Sequence, residues 1–383
     1  MNFFLVSFFV CLPGISALVV TSPAPRLHRN AHVSSAAMMT DEEGPAVFPS
    51  LVVNHPRIPA VALVSGDIMP ALAFGTWKVD KDTTADIVYQ AIEHGYRHID
   101  TAPDNGNEKE VGEGIRRALN SGLIESREHL WVSSKLWSTH HKKEHVQEAL
   151  LQTLSDLGID YLDLYQIQFP IAIAHIPISE RYPPGWVFDP DAKEPTIHFE
   201  KVPLQETWGA LEELVDEGRI RNIGLCNVNV ALLWDLISYA RIPPTVVQIE
   251  RHILNQRNKF LEFCHSLNIA VTAYSPLGDE GYIPDNLAKN QDSTLSSPTV
   301  LNIAQEHGKS CAQIMLRWNI QTGATTLVCK TSTPSRLEEN MDILGFELSQ
   351  NNLERLSKLD KGIKFNDPAV FMKRMNAFLP IFD

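Results

Sequence analysis

The chain has 383 residues, of which 44% are hydrophobic and 21% charged, and its formal net charge is −13. These proportions are ordinary for a soluble globular protein, and the length suits either two domains or one large α/β barrel. The negative charge disfavours nucleic acids and anionic membranes as partners, because both repel an acidic surface. We interpret the charge as an ordinary solvated surface.

The N-terminal residues are predicted to be a targeting segment rather than part of the fold. An apolar run from Phe3 to Val10 precedes a small-residue site, so residues 1–17 are predicted to be a signal peptide, although no Lys or Arg precedes the run. It is too short for a membrane span. Residues 18–60 form a transit-like segment, because Thr21 to Thr40 contains arginines and serines but no acid. Together they resemble the bipartite plastid presequence of algae with secondary plastids; secretion or the ER lumen is the alternative.

The cysteines favour a reducing compartment. Cys11 lies in the predicted presequence, and the other four lie in apolar segments without metal-type spacing. Four cysteines could form disulfides, but buried free thiols are the expectation in a core of this size. The absence of any Asn-x-Ser/Thr sequon agrees with this expectation. The four cysteines are Cys226, Cys264, Cys311 and Cys329.

Residues 61–383 are predicted to form one domain in which short apolar strands alternate with amphipathic helices. Val61–Val64 and the turn at Ser65–Asp67 predict an N-terminal hairpin, and the C-terminal residues predict a substrate loop. The predicted strands are 71–76, 98–101, 130–136, 162–169, 220–227, 246–250, 270–277 and 326–331. The predicted helices are 82–94, 108–119, 143–157, 204–217, 231–240, 259–267, 300–305 with 312–322, and 336–344.

Eight strand–helix repeats indicate a closed parallel (β/α)8 (TIM) barrel. A doubly wound open sheet normally has a glycine-rich phosphate loop after its first strand, and Gly75-Thr-Trp-Lys78 is not one. Barrel chemistry takes place at the carboxyl ends of the strands. The long loops at that end, 171–203 and 278–298, are expected to set specificity.

The segment His98-Ile-Asp-Thr-Ala-Pro-Asp-Asn-Gly-Asn-Glu108 resembles the signature around the catalytic aspartate of the aldo-keto reductase family. The resemblance assigns that aspartate to Asp100 and the family's lysine to Lys135, within Val132-Ser-Ser-Lys-Leu-Trp137. In the family, a tyrosine five residues after the aspartate protonates the substrate carbonyl oxygen, and a histidine assists it. At those positions this chain has Asn105 and Gln168.

Asn105 and Gln168 are amides, which have no proton to give near neutral pH. Both can still donate an N–H hydrogen bond to a carbonyl oxygen. The resemblance implies an ion pair between Asp100 and Lys135 that lowers the pKa of a neighbouring proton donor. With the tyrosine replaced, Lys135 acting through a water is the ionisable substitute. The alternative is that the two amides only fill the space of a former active site.

The segment from Val328 to Asn340 resembles the family's motif for adenine and the 2′-phosphate of NADP(H), and no metal is expected. A lysine and an arginine beside a helix N-terminus suit a phosphate, because their charges add to the helix dipole. The usual proline before the lysine is Cys329 here. The resemblance assigns the phosphate to Lys330, Thr331 and Arg336, and the adenine to Glu339 and Asn340.

The resemblance places the nicotinamide at Asn227, Gln248, Tyr274 and Leu277. Tyr274, within Ala273-Tyr-Ser-Pro-Leu-Gly278, is expected to stack under the ring and leave one face open for hydride transfer. Two neighbours depart from the family pattern, since Cys226 replaces a serine and Val228 replaces a phenylalanine.

The substrate side most resembles the xylose and aldose reductase branch, with a match from about Val61 to the C-terminus. The substrate residues implied are Trp77, Asp104, Phe169 and Asn366. Short polar side chains beside an aromatic wall suit a small, hydroxyl-rich carbonyl compound or polyol. Three functions remain open: an NADPH-dependent carbonyl reductase with an atypical proton donor, a non-catalytic barrel that binds NADP(H) or a polyol, and a reductase of activated C=C bonds.

Overall fold

The computed structural model describes residues 51–55, 58–289 and 293–382. The predicted signal peptide and most of the transit-like segment lie outside these residues. None of the helices in the described ranges combines the length and the apolar character that a membrane crossing requires.

The described residues contain a closed barrel of eight parallel strands, as the alternating pattern predicts. The strands pair in chain order around the barrel, and the last strand closes it by pairing in parallel with the first. They are β4 (Leu72–Gly75), β5 (His98–Asp100), β6 (Trp131–Leu136), β7 (Leu162–Ile167), β8 (Ile220–Cys226), β9 (Val246–Glu250), β10 (Ala270–Tyr274) and β11 (Thr326–Cys329).

Helices separate the strands and cover the barrel. They are α1 (Lys81–His94), α2 (Glu108–Asn120), α3 (Lys143–Leu157), α4 (Leu204–Asp216), α5 (Val230–Tyr239), α6 (Asn258–Ser266), α7 (Pro298–His307), α8 (Cys311–Gln321), α9 (Ser335–Met341), α10 (Gln350–Ser357) and α11 (Pro368–Phe371). Helices α10 and α11 are not predicted from the sequence. In α10 only Asn352 and Leu356 are buried, so its apolar periodicity is weak.

An antiparallel sheet precedes the barrel, and it begins earlier than predicted. Its strands are β1 (Leu51–His55), β2 (Ile58–Ala62) and β3 (Ile68–Pro70), in that spatial order. Pairing of Ala62 with Ile68 confirms the predicted hairpin. β1 pairs with β2 through Leu51 and Val61, so the antiparallel sheet includes residues before position 61; the domain boundary expected there stays a prediction.

The apolar core lies between the strands and the helices, and a second cluster fills the amino end of the barrel. That cluster is Leu63, Met69, Trp131, Leu164, Val246 and Ala270. Because the hairpin contributes Leu63 and Met69 to it, the hairpin covers the amino end and leaves the carboxyl ends of the strands for binding. Cys226, Cys264 and Cys329 are buried free thiols, as expected, and Cys311 is half-buried.

Close packing between helices generates a prediction about stability. A Cβ atom added at Gly112 in α2 would lie 2.4 Å from the carbonyl oxygen of Leu157, whereas one added at Gly209 in α4 meets nothing within 4 Å. We expect Gly112→Ala to lower the free energy of unfolding by about 1–3 kcal/mol, the usual cost of overpacking. The control, Gly209→Ala, should raise it by about 0.5–1 kcal/mol through helix propensity. Urea denaturation of the two variants measures both effects, and equal stabilities would contradict the packing argument.

Candidate active site

A buried ion pair occupies the carboxyl ends of two adjacent strands. Asp100 ends β5, Lys135 lies in β6, and each residue is only 6% exposed. The Nζ atom of Lys135 donates to Oδ1 of Asp100 at 2.7 Å and to the carbonyl oxygen of Thr101 at 2.9 Å. Burial by itself lowers the pKa of Lys135, but the charge of Asp100, its hydrogen bond to Lys135 and the nearby Cys226 and Asp104 together outweigh burial, so the net pKa is raised. Lys135 is therefore held as a cation.

The second carboxylate oxygen of Asp100 also has partners. Oδ2 accepts from Oγ of Ser133 at 2.9 Å and from Nε2 of Gln248 at 3.0 Å. The amide of Gln248, which the resemblance assigns to nicotinamide, therefore also orients Asp100. Ser133 is not among the predicted site residues. The sequence feature that could have identified Ser133 is its position two residues before Lys135, which places both side chains on the same side of β6.

Asn105 lies in the position predicted for it, close to the ion pair. Its Nδ2 donates to Oγ1 of Thr76 at 3.0 Å, and that hydroxyl donates to Oγ1 of Thr101 at 2.9 Å. Since Lys135 donates to the carbonyl oxygen of Thr101, a short polar chain joins Asn105 to the ammonium group. Thr76 follows β4, and the resemblance gives no role for it. The structure thus adds the hydroxyl of Thr76 to the site, as the group that holds the side chain of Asn105.

Gln168 is linked to a carboxylate. Its Nε2 donates to Oδ1 of Asp104 at 2.9 Å, whereas its Oε1 is buried and has no hydrogen-bond partner among the described residues. Burial raises the pKa of Asp104, and the bond from Gln168 and the charge of Lys135 partly oppose this shift. A raised pKa lets a carboxyl group keep its proton to a higher pH than usual, and Asp104 is therefore an ionisable group beside the two amides.

A hydrogen-bonded row continues from Gln168 across the site. The carbonyl oxygen of Gln168 accepts from Nδ2 of Asn227 at 2.8 Å, and Oδ1 of Asn227 accepts from the hydroxyl of Tyr274 at 2.6 Å. Nδ2 of Asn366 donates to the same hydroxyl at 3.2 Å. Burial raises the pKa of Tyr274 well above its usual value, so the phenol stays protonated. This row brings together predicted cofactor and substrate residues.

Aromatic side chains form two walls near the long loops. Phe169 packs edge-on against Trp137 and Trp186, with ring centroids 6.4 and 5.1 Å apart. Trp77 is 38% exposed and lies 5.3 Å from the ring of Tyr282, in the loop after β10. Trp77 shares no hydrogen bond with the polar row, and its assignment to substrate stays a prediction.

The predicted phosphate residues lie after β11, at the start of α9. Within residues 58–289 and 293–382, the side chains of Lys330 and Arg336 have no ion-pair or hydrogen-bond partner, while the backbone N–H of Arg336 donates to the carbonyl oxygen of Thr333 at 3.0 Å. Burial, and then the charge of Lys78, lower the pKa of Lys330. The hydroxyl of Thr331 accepts from the backbone N–H of Thr333 at 3.0 Å. Because α9 has only seven residues, its dipole adds little, and the two cations carry the anion-binding argument.

The other assigned residues are placed less directly. Glu339 and Asn340 lie in α9, Asn340 is buried, and Leu277 is half-buried against the core after β10. Together, an orphaned buried oxygen at Gln168 and two unpaired cations after β11 fit a ligand that has an amide or hydroxyl donor and a phosphate. A nicotinamide dinucleotide phosphate has both groups.

The sequence model of the aldo/keto reductase family matches residues 71–361. An NAD(P)H-dependent D-xylose reductase I,II of Candida tropicalis is 45% identical over 316 residues, which cover 82% of this chain and 96% of that protein. An NADH-dependent D-xylose reductase of Candida parapsilosis is 41% identical, over 85% of this chain and 98% of that protein. The solved aldose reductase of Schistosoma japonicum is 33% identical, with a TM-score of 0.71, over 83% and 96% of the two chains.

The buried ion pair generates a second prediction. Asp100→Asn keeps the shape of the side chain but leaves the ammonium of Lys135 buried without a counter-charge. We expect it to lower the free energy of unfolding by about 3–5 kcal/mol, measured by urea denaturation. The control is Lys143→Met, which removes an exposed ion pair with Glu213 and should cost about 1 kcal/mol or less. Similar losses in the two variants would show that burial does not set the cost.

Proposed function

The chain belongs to the aldo/keto reductase family, and from this premise we propose that it is an NADP(H)-dependent reductase of small aldehyde or aldose-like carbonyl compounds. In this proposal Asn105 and Gln168 stand in place of the family's tyrosine and histidine, and the proton comes from another group. The D-xylose reductases among the relatives support the substrate class. The substrate side of the site, with Asp104, Asn366 and an aromatic wall, supports it independently.

The observation that carries the proposal is the buried pair of Asp100 and Lys135 beside the amides. A buried ion pair is weak evidence for stability, because removing two charges from water costs about as much as their attraction returns. The Asp100–Lys135 pair supports the proposal because it places a fixed positive charge where negative charge develops on a carbonyl oxygen.

The residues divide the work of carbonyl reduction between them. NADPH, when bound, supplies a hydride to the carbonyl carbon. The N–H groups of Asn105 and Gln168 polarise the carbonyl oxygen, and the cation of Lys135 stabilises the charge that develops on it. The proton is delivered by the carboxyl group of Asp104 or by Lys135 through a water, since these are the ionisable groups that the geometry places beside the amides.

A second candidate function is non-catalytic binding of NADP(H) or a polyol. One observation favours it: the Nδ2 of Asn105 and the Nε2 of Gln168 already have acceptors, in Thr76 and Asp104. Each NH2 group keeps a second N–H that can bind a ligand oxygen, but neither amide can release a proton near neutral pH. Loss of general acid catalysis typically lowers the reaction rate by about 100-fold to 10,000-fold. It does not remove the contacts that bind a ligand.

Cofactor choice follows from the unpaired cations. The relatives include an NADPH-dependent D-xylose reductase of Meyerozyma guilliermondii as well as the NADH-dependent protein. Membership of the family therefore leaves the choice open, and Lys330 and Arg336 support NADPH. A 2′-phosphate gives both side chains an anionic partner that NADH lacks.

We predict that the purified protein binds NADPH more tightly than NADH. Arg336→Gln should weaken NADPH binding by at least about 10-fold, the loss of one charge-assisted contact, and leave NADH binding within about twofold. Tryptophan fluorescence titration measures both constants. Lys361→Gln, an exposed lysine outside the site, is the matched control. Equal affinity for the two cofactors in the parent protein would contradict the assignment of the 2′-phosphate.

Restoring the family's donor is the test of catalysis. In Asn105→Tyr the phenol is placed near Lys135, whose charge lowers its pKa, and Gln168→His supplies an orienting hydrogen bond. We expect the double variant to reduce xylose and small aromatic aldehydes at least about 100-fold faster than the parent, with strongly non-additive single effects. Steady-state oxidation of NADPH measures the rates.

The parent protein separates the two possible proton sources. If it already reduces aldehydes, Asp104→Asn removes the carboxyl proton with little change in shape, and Lys135→Met removes the ammonium. A larger loss of kcat in Asp104→Asn identifies the carboxyl group. A double variant that binds NADPH but remains inactive would support the non-catalytic function instead.

A further inference from the structure

Three histidines and a glutamate gather on the segments that follow β6 and β7, away from the groups assigned to carbonyl reduction. His140 ends the short 3-10 helix Ser138–His140, His145 and Glu148 lie in α3, and His175 lies in the loop after β7. The sequence spreads them over 36 positions, so their spacing does not suggest a site.

Three of these side chains converge. His140, Glu148 and His175 each present one ligand atom, and these atoms lie within 4.8 Å of one another. The imidazole rings of His140 and His175 are 4.9 Å apart and nearly perpendicular, at 83°. A central ion would lie at most about 2.8 Å from each atom, so movements of under about 1 Å bring the contacts to the 2.0–2.2 Å typical of zinc.

The Nδ1 atoms of His140 and His175 make hydrogen bonds to Thr139, which leaves the Nε2 atoms of both rings for a ligand. Nδ1 of His175 lies 3.2 Å from the carbonyl oxygen of Thr139, which can only accept, so Nδ1 carries the proton and Nε2 is unprotonated. Nδ1 of His140 lies 2.7 Å from the hydroxyl of Thr139. Nε2 of His140 is buried without a hydrogen-bond partner among the described residues, in a residue only 2% exposed. Second contacts of this kind orient metal-binding histidines.

The charges in the cluster suit a divalent cation. Burial, and then the neighbouring histidine rings, lower the pKa of His140 to about 3, so its imidazole is neutral. Glu148 supplies a negative charge. The adjacent lysines are engaged elsewhere, because Lys142 pairs with Glu200 at 2.8 Å and Lys143 pairs with Glu213. Among the described residues, no lysine or arginine therefore pairs with Glu148, whose Oε2 lies 4.0 Å from Nδ1 of His145.

We propose that His140, His175 and Glu148 bind a divalent first-row transition-metal ion, with Zn²⁺ the best match. Two imidazoles and one carboxylate are a donor set that suits zinc and its neighbours, whereas Mg²⁺ and Ca²⁺ prefer oxygen ligands throughout. His145 does not point to the same centre; its ring stacks on His175 at 3.5 Å and 4°, and it is a positioning residue.

The site ties the long loop after β7 to the barrel. The backbone N–H of Ile173 donates to the carbonyl oxygen of Ser138 at 3.0 Å, and that of Ala174 donates to His198 at 2.7 Å. The first of these bonds and the contact of Nδ1 of His175 with the carbonyl oxygen of Thr139 hold His175 beside the 3-10 helix, whereas the second bond lies within the loop itself. A metal ion would add a third attachment, between this loop, the 3-10 helix and α3. The proposal does not depend on the reductase activity.

The test is a zinc titration of the purified full chain, with a chromophoric chelator as competitor. We expect one equivalent of Zn²⁺ to bind with a Kd of about 1 μM or tighter, and Mg²⁺ to bind at least about 100-fold more weakly. Glu148→Gln and His175→Ala should each weaken zinc binding by at least about 30-fold. Thr139→Ala, which removes the hydroxyl beside His140, should weaken it by about 10-fold.

Two controls distinguish this cluster from other zinc-binding groups on the surface. His129→Ala removes a histidine that precedes β6, at the other end of the strand, and Glu144→Gln alters an exposed carboxylate of the same helix. Both should bind zinc within about twofold of the parent. X-ray absorption of the loaded protein should show two imidazoles at about 2.0–2.1 Å.

Three results would overturn the proposal: no bound equivalent of zinc, Glu148→Gln and His175→Ala proteins that bind as the parent does, or a zinc environment that contains sulfur. Because Glu148 is exposed, its variant should fold normally, and circular dichroism of each variant verifies this. Zinc should also raise the melting temperature of the parent and of His129→Ala, but not that of Glu148→Gln.

Discussion

The contact between Asp100 and Lys135 is the constraint on which the rest of the site depends. Both ions are buried, so each must satisfy its hydrogen bonds inside the protein. Asp100 does so with Lys135, Ser133 and Gln248; the first two come from the neighbouring strand β6 and Gln248 comes from β9, across the barrel. A change in strand register would move at least one of them out of reach, which leaves a buried charge unpaired. The pair therefore fixes the register of β5, β6 and β9 at their carboxyl ends.

The fixed position of the Asp100–Lys135 pair determines what the amides of Asn105 and Gln168 contribute to the site. Asn105 and Gln168 are held by Thr76 and Asp104, next to a permanent cation. A histidine or tyrosine at these positions contributes a titratable proton, and an amide contributes only a dipole. The proton inventory of the site then depends on Asp104, because burial raises its pKa while Lys135 opposes that shift. In the proposed reduction, the balance of desolvation against the hydrogen bond from Gln168 and the charge of Lys135 sets how readily Asp104 gives up a proton.

The sequence predicts the barrel and most strand ends, since continuous apolar runs that alternate with helical patterns are local features. The Asp100–Lys135 pair is implied by the resemblance to the family, in which both residues lie at the ends of barrel strands. The sequence does not predict that Gln248 bonds to Asp100, or that Asn105 bonds to a hydroxyl after β4. Such bonds depend on side-chain directions in three dimensions. The strand at Leu51–His55 is missed for a different reason, because the transit-like composition of the preceding segment hides it.

The segments after β6 and β7 contribute residues both to the polar site at the strand ends and to the cluster of His140, Glu148 and His175. The residues of the cluster therefore lie close in sequence to the site motifs, and a search for motifs does not find them separately. Lys135 and Gln168 belong to the polar site at the strand ends, while His140 and His175 follow them by five and seven residues. The loop after β7 is long, and ordering it costs conformational entropy that a few backbone hydrogen bonds only partly offset. Trp186 of the same loop packs against Trp137 and Phe169. An attachment at His175 therefore also limits the positions available to the aromatic wall of the candidate substrate site. The conformational entropy lost in ordering this loop is then a single cost for both the histidine cluster and the aromatic wall.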